Sequence, residues 1–307
     1  MLGIQEIASY IPSGRSSNYA KKELFEIDDA FIEDKIGVKQ VAVKDSQEDT
    51  SDLCVKAFNK LQQKTGLNTS DVECVIVVTQ NPDTNIPHTS AIIHGQLGLP
   101  EQCACFDISL GCSGFVYGLS IIQSLMESNS FTKGLLFTAD PYSKIINAND
   151  KNTALLFGDA ATVTLISNNP VLITGKFNMG TIGKDNKELI CNNNELSMNG
   201  RAIFNFAARY VPADIKALLE KNNKQMEDID VFIFHQGSKY IVDTLTKRLN
   251  LPKDKVPFDI MNYGNTVSSS IPIIIEQKLQ DKSYTNIVIS GFGVGLSWAS
   301  TILTRLN

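Results

Sequence analysis

An internal repeat constrains the fold of this chain more than any other feature of its sequence. The triplet Phe-Asp-Ile at residues 106–108 recurs at residues 258–260, and 258 − 106 gives an offset of 152. Three further pairs match in the same order: residues 97–100 with 249–252, residues 135–138 with 287–290 and, at an offset of 157, residues 71–73 with 228–230. A period this long exceeds that of solenoid repeats, so the sequence predicts a duplicated domain.

The two halves share one order of hydrophobic patterns. A helical pattern over 51–65 precedes a short apolar strand over 74–79, and a helix over 211–222 precedes a strand over 231–235. Another helix, a second strand around the Phe-Asp-Ile triplet, a further helix and a further strand follow in each half. This alternation predicts an α/β fold whose sheets are covered on both faces.

The break between the halves lies at an Asn-Asn-Pro sequence that begins at residue 168. We therefore predict an N-terminal half over residues 1–168 and a C-terminal half over residues 169–307. Residues 176–199 are polar and weakly patterned, which indicates an insertion or a loop.

Composition and charge exclude several classes of protein. Hydrophobic residues make up 43% of the chain and charged residues 20%, as is usual for a soluble globular protein. The net charge of −5 is scattered, which argues against nucleic acid as the main partner. No apolar run approaches the roughly 20 residues that span a bilayer, and the N-terminus has no secretory signal pattern. The six cysteines form no C-x-x-C pair, so we expect free thiols and a cytoplasmic protein.

Cys112 has the local setting of a nucleophile. It follows a strand end at 107–110 and precedes a helical pattern over 113–127, which places it at a helix N-terminus. The positive end of the helix dipole favours the thiolate, the reactive form of cysteine. Gly111 and Gly114 allow a tight turn and leave space for a substrate. The alternative interpretation is a buried and inert cysteine.

The repeat brings two further polar residues toward Cys112. Because 112 + 152 = 264, the loop around Cys112 and the loop that contains Asn265 occupy matching places in the two halves. A pseudo-twofold arrangement would place these loops together, and His235 ends the neighbouring strand of the second half. His88 and His94 are interpreted as structural, because they have no partners at metal-ligand spacing, and no metal site is expected.

A glycine-rich run, Gly291–Gly295, follows a strand near the C-terminus. It does not fit the G-x-G-x-x-G pattern that opens a helix in dinucleotide-binding proteins. It is either a tight turn between strands or a pocket-lining loop whose backbone N–H donates to an oxyanion.

These residues fall in segments that resemble β-ketoacyl-acyl-carrier-protein synthase III, of the thiolase superfamily. The matching segments are residues 107–115, 157–161, 235–236, 263–266 and 293–298. Their order and spacing extend the resemblance over nearly the whole chain. The resemblance implies a thiolase-like five-layered αβαβα fold made of two duplicated halves, and a homodimer.

The resemblance also implies a two-stage reaction that needs no cofactor. Cys112 takes an acyl group from an acyl-coenzyme A, and malonyl-acyl carrier protein then loses CO2 and condenses with that group. His235 and Asn265 hold the malonyl thioester oxygen while charge develops on it, a role that requires a neutral His235. The backbone N–H groups of Cys112 and Val294 form the other oxyanion hole.

Further residues are assigned by the resemblance alone. Those expected at the oxyanion hole and acyl pocket are Cys112, Val294, Gly293, Gly295 and Ile86, the last closing the pocket of a partner subunit. Those expected to contact coenzyme A or the carrier are Phe31, Lys35, Lys151, Ser238 and Lys239. Phe31 stands where the family has an adenine-stacking Trp, and the two lysines stand for phosphate-binding arginines, so binding by point charges is expected. Tyr240 replaces an arginine used in carrier docking.

Three alternatives to condensation are weighed at this point. An acyltransferase of the same fold would move the acyl group from Cys112 to a hydroxyl or an amine, and it would release no CO2 from a malonyl thioester. A non-catalytic partner that only dimerises with a true synthase is disfavoured because Cys112, His235 and Asn265 are all present. Thiolase proper is less favoured, because there is no second cysteine in a glycine-rich motif near the C-terminus.

Overall fold

Strands and helices alternate through both halves of residues 1–306, the part of the chain that the computed structural model describes. The strands are β1 (Gly3–Tyr10), β2 (Gly14–Ser17), β3 (Gln40–Val43), β4 (Cys74–Val78), β5 (Ala104–Ile108), β6 (Lys133–Ala139), β7 (Ala161–Ser167), β8 (Leu172–Thr174), β9 (Asn178–Thr181), β10 (Leu189–Asn192), β11 (Glu195–Met198), β12 (Val231–Phe234), β13 (Asn286–Gly293) and β14 (Ser297–Arg305). The α-helices are α1 (Lys22–Phe25), α2 (Thr50–Thr65), α3 (Thr89–Leu97), α4 (Gly114–Asn129), α5 (Lys151–Ala154), α6 (Gly200–Lys221), α7 (Lys239–Arg248) and α8 (Ser270–Lys278). A π-helix covers Phe31–Ile36, and 3-10 turns cover Tyr19–Lys21, Thr69–Asp71, Tyr142–Lys144, Gly183–Glu188, Met226–Asp228, Lys253–Lys255 and Val267–Ser269.

The strand order repeats between the halves. The first half has the order β1-β7-β6-β4-β5, and the second half has β8-β14-β13-β12. In the first half β4 is parallel to β5 and β6 while β7 is antiparallel to β6, and in the second half β12 is parallel to β13 while β14 is antiparallel to β13. The two arrays join where Ile4 of β1 pairs with Leu172 of β8. The predicted duplication is therefore confirmed in the strand topology.

The helices form three layers around these two arrays. Helices α2 and α3 cover the outer face of the first array, and α6, with α7 beside it, covers the outer face of the second. Helices α4 and α8 lie between the arrays and contact strands of both. Residues 270–275 of α8 are all buried, as expected of a helix enclosed on every side. The five-layered αβαβα fold is confirmed, and its central layer carries the loops that meet between the halves.

The second Phe-Asp-Ile triplet departs from the predicted pattern. Residues 104–108 form β5, but residues 258–260 are not a strand. The Asp259 N–H donates to Gln236 Oε1 at 3.1 Å, and the following carbonyl oxygens of Met261 and Tyr263 accept N–H groups of the β3 region. Because its backbone groups are satisfied by a side chain and by the first half, this segment does not extend the sheet beyond β12.

Two other predictions are wrong in their limits. The helix expected over 211–222 begins at Gly200 and ends at Lys221, and Pro212 lies inside it. The segment 176–199, which was predicted as an insertion or a loop, contains β9 and a β10–β11 hairpin. Asn193 and Asn194 at the hairpin turn have φ of 51° and 60°, values that Asn tolerates well, and this Asn-Asn pair was the available signal. The helix over 51–65 and the strands over 74–79 and 231–235 are confirmed as α2, β4 and β12.

Within residues 1–306, no helix combines the length and the apolar character required to traverse a bilayer.

Candidate active site

A cavity of about 910 Å3 lies where the loops of the two halves meet. Cys112, His235 and Asn265 all line it, together with Gly293 and Phe292 of the glycine-rich run. The three polar side chains are almost completely buried, with exposed fractions of 4%, 3% and 2%. The structure thus brings together the three residues that the repeat predicted to converge from distant parts of the sequence.

Cys112 lies between β5 and α4, immediately before the N-cap residue of α4. Two features hold it against the second half. The Ser113 and Ser297 hydroxyl oxygens are 2.8 Å apart, and Gly293 lies so close that an added Cβ would be 2.8 Å from the Cys112 sulfur. The backbone N–H groups of Cys112 and Val294 lie near that sulfur and favour its anionic form. The position of two such donors suits an anion that forms at this atom or next to it.

The Cys112 thiol is protonated in the resting site. Burial, with a smaller contribution from the Asp140 carboxylate, raises the pKa of Cys112 to about 12, although the two N–H groups act in the opposite direction. The expected thiolate at the helix N-terminus is therefore outweighed by desolvation of the charged form. Deprotonation must accompany the approach of a substrate to this sulfur.

His235 follows β12 and is held on two sides. Its Nδ1 lies 2.8 Å from Ser270 Oγ, and its ring meets Phe292 edge-on with a centroid distance of 5.6 Å. Burial lowers the pKa of His235 to about 3, so the imidazole is neutral at ordinary pH. Within residues 1–306 no protein group is bonded to Nε2, which leaves this nitrogen for a substrate.

Asn265 is fixed by the first half and by its own loop. Its N–H donates to the Leu156 carbonyl at 2.8 Å, and its carbonyl accepts the Gly158 N–H at 3.0 Å. Its side-chain Oδ1 accepts the Val267 N–H at 2.9 Å. Because the amide oxygen is already used, the Nδ2 hydrogens are the groups that remain to face the cavity.

The mouth of the cavity is aromatic and basic. Phe31 lies at the mouth, and the Lys35 and Lys151 ammonium groups each lie 5.0 Å from its ring centroid. Arg201, at the start of α6, adds a third cation to the lining. Such an arrangement of a ring and cations suits a ligand that carries both a planar base and phosphates.

Ser238 lines the cavity and caps α7, accepting the Ile241 N–H at 3.3 Å. Lys239 does not line the cavity, and its ammonium pairs with Asp243 at 2.6 Å. Two other predicted residues also lie outside the lining: Val294, which contributes only its N–H, and Gly295. Ile86 is 89% exposed and does not reach the cavity of its own chain.

The sequence did not predict several residues that line this cavity. Phe292 lies inside the glycine-rich run, so its position was visible in the sequence but its contact with His235 was not. Arg201 and Phe204 belong to the first turns of α6, which lie before the helix that the sequence predicted over 211–222. Phe204 stacks on Tyr240 at a centroid distance of 4.9 Å, so the tyrosine at the docking-arginine position is part of an aromatic pair.

Family models and sequence relatives identify the family of this chain. The model for 3-oxoacyl-[acyl-carrier-protein] synthase III matches residues 106–183, and the model for the C-terminal part of that enzyme matches residues 219–305. The β-ketoacyl-[acyl-carrier-protein] synthase III of Lactococcus lactis subsp. cremoris (strain MG1363) is 34% identical over 322 aligned positions, which cover 98% of each chain. The chain belongs to the β-ketoacyl-[acyl-carrier-protein] synthase III family. Members of this family are condensing, acyl-transferring enzymes, and so is this chain.

Solved structures of β-ketoacyl-[acyl-carrier-protein] synthase III extend the agreement to the whole fold. One crystal structure of a 3-oxoacyl-(acyl-carrier-protein) synthase III superposes with a TM-score of 0.93 at 30% identity, covering 99% of both chains. The enzyme from Thermus thermophilus superposes with a TM-score of 0.92 at 31% identity, again over 99% of both chains. The thiolase-like architecture of the family therefore extends over the entire described chain.

Proposed function

We propose that Cys112 is the nucleophile that carries the acyl group during a two-stage condensation. In the first stage its sulfur attacks the carbonyl carbon of an acyl-coenzyme A thioester, and the bond from that carbon to the coenzyme A sulfur breaks. The thiol proton leaves with coenzyme A, which departs as a free thiol. The N–H groups of Cys112 and Val294 lie where they can stabilise the oxyanion of this step.

In the second stage, malonyl-acyl carrier protein enters and loses CO2. The electron pair of the broken carbon–carboxylate bond passes into the thioester as an enolate, whose oxygen accepts hydrogen bonds from His235 Nε2–H and Asn265 Nδ2–H. The enolate carbon then attacks the acyl-Cys112 carbonyl and displaces the thiolate, which is reprotonated. A neutral His235 supports this role, because the pKa of about 3 keeps a donor without a net charge in the site.

In both substrates the thioester is joined to a bulky group, the nucleotide of coenzyme A or the carrier protein, which must stay at the cavity mouth while the thioester enters. Phe31, Lys35 and Lys151 are proposed to bind the nucleotide end of coenzyme A, with the base on the ring and phosphates near the ammonium groups. Ser238 and Lys239 are proposed carrier contacts, and the names of the relatives support an acyl carrier protein as partner. No step requires a metal or a bound cofactor, and a cytosolic location is proposed.

We also propose a homodimer and a division of each subunit near residue 168, between β7 and β8. Strand β5 ends the sheet order and pairs only with β4 among the described strands, and its side chains are partly exposed. Pairing of two β5 edges would cover these groups and bring the exposed Ile86 toward the cavity of the partner. Elution as a monomer at micromolar concentration would contradict this part of the proposal.

The burial of Cys112, His235 and Asn265 in one cavity is the observation that carries the proposed function. Intact-protein mass spectrometry with a panel of acyl-coenzyme A thioesters tests the first stage, with Cys112→Ala as control. An acyl adduct on the wild type alone identifies the nucleophile and the donor. Addition of malonyl-acyl carrier protein should then release CO2 and yield a 3-oxoacyl product. An adduct without CO2 release would favour transfer to a hydroxyl or amine.

A further inference from the structure

Asp140 is a buried carboxyl that the proposed reaction does not use. It lies directly after β6, its exposed fraction is zero, and it does not line the cavity. Within residues 1–306, no lysine, arginine or histidine nitrogen lies within 4.0 Å of its oxygens. A buried carboxyl without a counter-charge is costly unless hydrogen bonds satisfy it, so the partners of Asp140 indicate what it does.

The partners of Asp140 belong to different halves of the molecule. One carboxyl oxygen accepts the Gln80 N–H at 2.7 Å, and Gln80 follows β4 in the first half. The other oxygen accepts the hydroxyl hydrogen of Ser268, three residues after Asn265 in the second half. A neighbouring contact supports the same junction, because the Thr138 and Ser269 hydroxyl oxygens are 2.8 Å apart. Asp140 therefore ties the turn that follows Asn265 to the end of the first-half sheet.

That turn holds both donors of the candidate site. Val267 precedes Ser268, and its N–H holds the Asn265 amide oxygen at 2.9 Å. Its carbonyl oxygen lies 3.1 Å from Ser270 Oγ, which lies 2.8 Å from His235 Nδ1 and donates to that nitrogen when the proton of the neutral imidazole is on Nε2, as the proposed second stage requires. Val267 has φ of 53°, which is strained for a β-branched side chain and persists only where the surroundings impose it. The hydrogen bond of the next residue to Asp140 is one such constraint.

We propose that Asp140 is a positioning residue that holds the turn from Val267 to Ser270, and through it the Asn265 amide and the His235 imidazole, for the decarboxylation stage. This inference rests on the proposed function. It separates the two stages of the reaction, because the acyl-loading stage needs Cys112 and the backbone N–H groups but not this turn.

The charge of Asp140 gives the inference a second readout. Burial raises the pKa of Asp140 to about 6, while the Ser268 hydroxyl and the N–H groups of Gln80 and Ser268 act in the opposite direction. The carboxylate is therefore charged at pH 8. This charge raises the pKa of Cys112, Tyr142 and Cys54, the titratable groups that face it. Removal of the charge should make the Cys112 thiol easier to ionise. Because exposure of the buried thiol would act in the same direction, the alkylation rate is compared between variants whose free energies of unfolding are measured beside it.

Asp140→Asn is the main test. The new amide can still accept the Gln80 N–H, but its nitrogen presents donors to Ser268. We expect CO2 release from malonyl-acyl carrier protein to fall on the order of 10- to 100-fold, as for loss of orientation in a preorganised site. We expect acyl loading of Cys112 to be retained. The rate of Cys112 alkylation by iodoacetamide at pH 8 should rise by roughly 3- to 10-fold, because a nearby negative charge is gone.

Two further variants keep the test decisive. Ser268→Ala removes the hydroxyl but keeps the carboxylate, so it should slow decarboxylation without raising the alkylation rate. Asp214→Asn is the control, because Asp214 is a partly buried carboxyl that is also bonded to a serine hydroxyl, Ser300, but belongs to α6. It should change neither rate.

Decarboxylation within about twofold of wild type in both Asp140→Asn and Ser268→Ala would overturn the inference. An equal loss in Asp214→Asn would also overturn it, since the effect would then reflect stability alone. The proposed function is tested separately by the wild type. If the wild-type enzyme releases no CO2 from malonyl-acyl carrier protein, the proposed function fails, and the inference fails with it.

Discussion

The two halves of the molecule share a strand pattern but place different chemical groups at matching loops. In the first half, β5 leads within a few residues to Cys112 and then to α4. In the second half, the equivalent strand is absent, and a 3-10 turn over Val267–Ser269 separates Asn265 from α8. The first-half loop presents the sulfur and the N–H of Cys112, whereas the second-half loop presents the side-chain amide of Asn265. A duplicated scaffold thus fixes where the loops meet, and the local backbone fixes what each loop offers.

Each loop is also supported by the opposite half. The Cys112 carbonyl lies beside Gly291, where an added Cβ would be 2.5 Å away, and its sulfur lies beside Gly293. Asn265 bonds in turn to Leu156 and Gly158 of the first half. Burial keeps both titratable groups of the trio neutral, because it raises the pKa of Cys112 and lowers that of His235. The comparison therefore predicts that acyl loading depends on the Cys112 loop with the glycine-rich run packed against it, and that decarboxylation depends on the Asn265 loop with His235 beside it.

The largest effect is expected for Cys112→Ala. Because the covalent bond to the acyl group cannot form, condensation should fall by about 10^4-fold or more, and no acyl adduct should appear by mass spectrometry. Decarboxylation of malonyl-acyl carrier protein should continue, since its donors belong to the second half. Parallel loss of CO2 release would mean that the two loops do not act separately.

His235→Ala and Asn265→Ala should slow decarboxylation and leave acyl loading intact, and the loss of activity should be smaller than in Cys112→Ala. Each removes one donor to the enolate oxygen, so CO2 release and condensation should fall on the order of 10^2- to 10^3-fold. Acyl loading of Cys112 should remain close to that of the wild type in a rapid-quench measurement. A variant that loads slowly and decarboxylates normally would reverse the assignment of the halves.

Much of this comparison was available from the sequence. The matched triplets, the apolar runs and the offset of 152 predicted the duplication, and Cys112 with Asn265 followed from matching loops. Repetition is informative because both copies must bury similar apolar faces, which constrains spacing more tightly than any single helix or strand does. The position of His235 followed from the strand that it ends, and the resemblance then added the oxyanion contact of Val294.

The unpredicted parts depend on contacts between the halves. Residues 258–260 repeat the Phe-Asp-Ile sequence of β5 but do not form a strand. Gln236 and the β3 region bind the backbone groups around them, and local periodicity does not predict such distant partners. The thiol of Cys112 lies at a helix N-terminus as predicted, yet its ionisation is governed by burial. The role proposed for Asp140 could not be predicted from the sequence, because it depends on hydrogen bonds to Gln80 and Ser268, which are distant in sequence.

A glycine comparison sharpens the role of the loop contacts. Gly293→Ala would place a Cβ 2.8 Å from the Cys112 sulfur, so the sulfur must shift relative to the two N–H donors. We expect acyl loading to slow on the order of 10- to 100-fold, because small displacements are costly in a preorganised site. Gly183→Ala is the control, since an added Cβ there meets no heavy atom within 4 Å. Equal acyl-loading rates in stopped-flow measurements of both variants would mean that Gly293 does not position the Cys112 sulfur.

The smallest effect concerns the pH dependence of stability, to which His235 of the second half and Asp140 of the first half contribute with opposite signs. The pKa of His235 falls from 6.5 to about 3 on folding, so the unfolded chain binds the extra proton between those values, and stability decreases as pH falls through that window. The pKa of Asp140 rises from 3.8 to about 6, so the folded chain binds the extra proton, and stability decreases as pH rises through that window. Between about pH 4 and 6 the two contributions cancel.

Removal of either ionisable group should reveal the pH dependence of stability that the other group contributes. The free energy of unfolding of His235→Ala should change with pH less positively than that of the wild type between pH 4.5 and 5.5, by up to about 1.4 kcal/mol per pH unit. Asp140→Asn should differ by a similar amount in the opposite direction. Urea unfolding at several pH values measures these slopes, and constant destabilisation by either substitution does not affect them. Identical slopes in all three proteins would mean that these groups titrate as they do in the unfolded chain, so that neither loop is as dry as its burial implies.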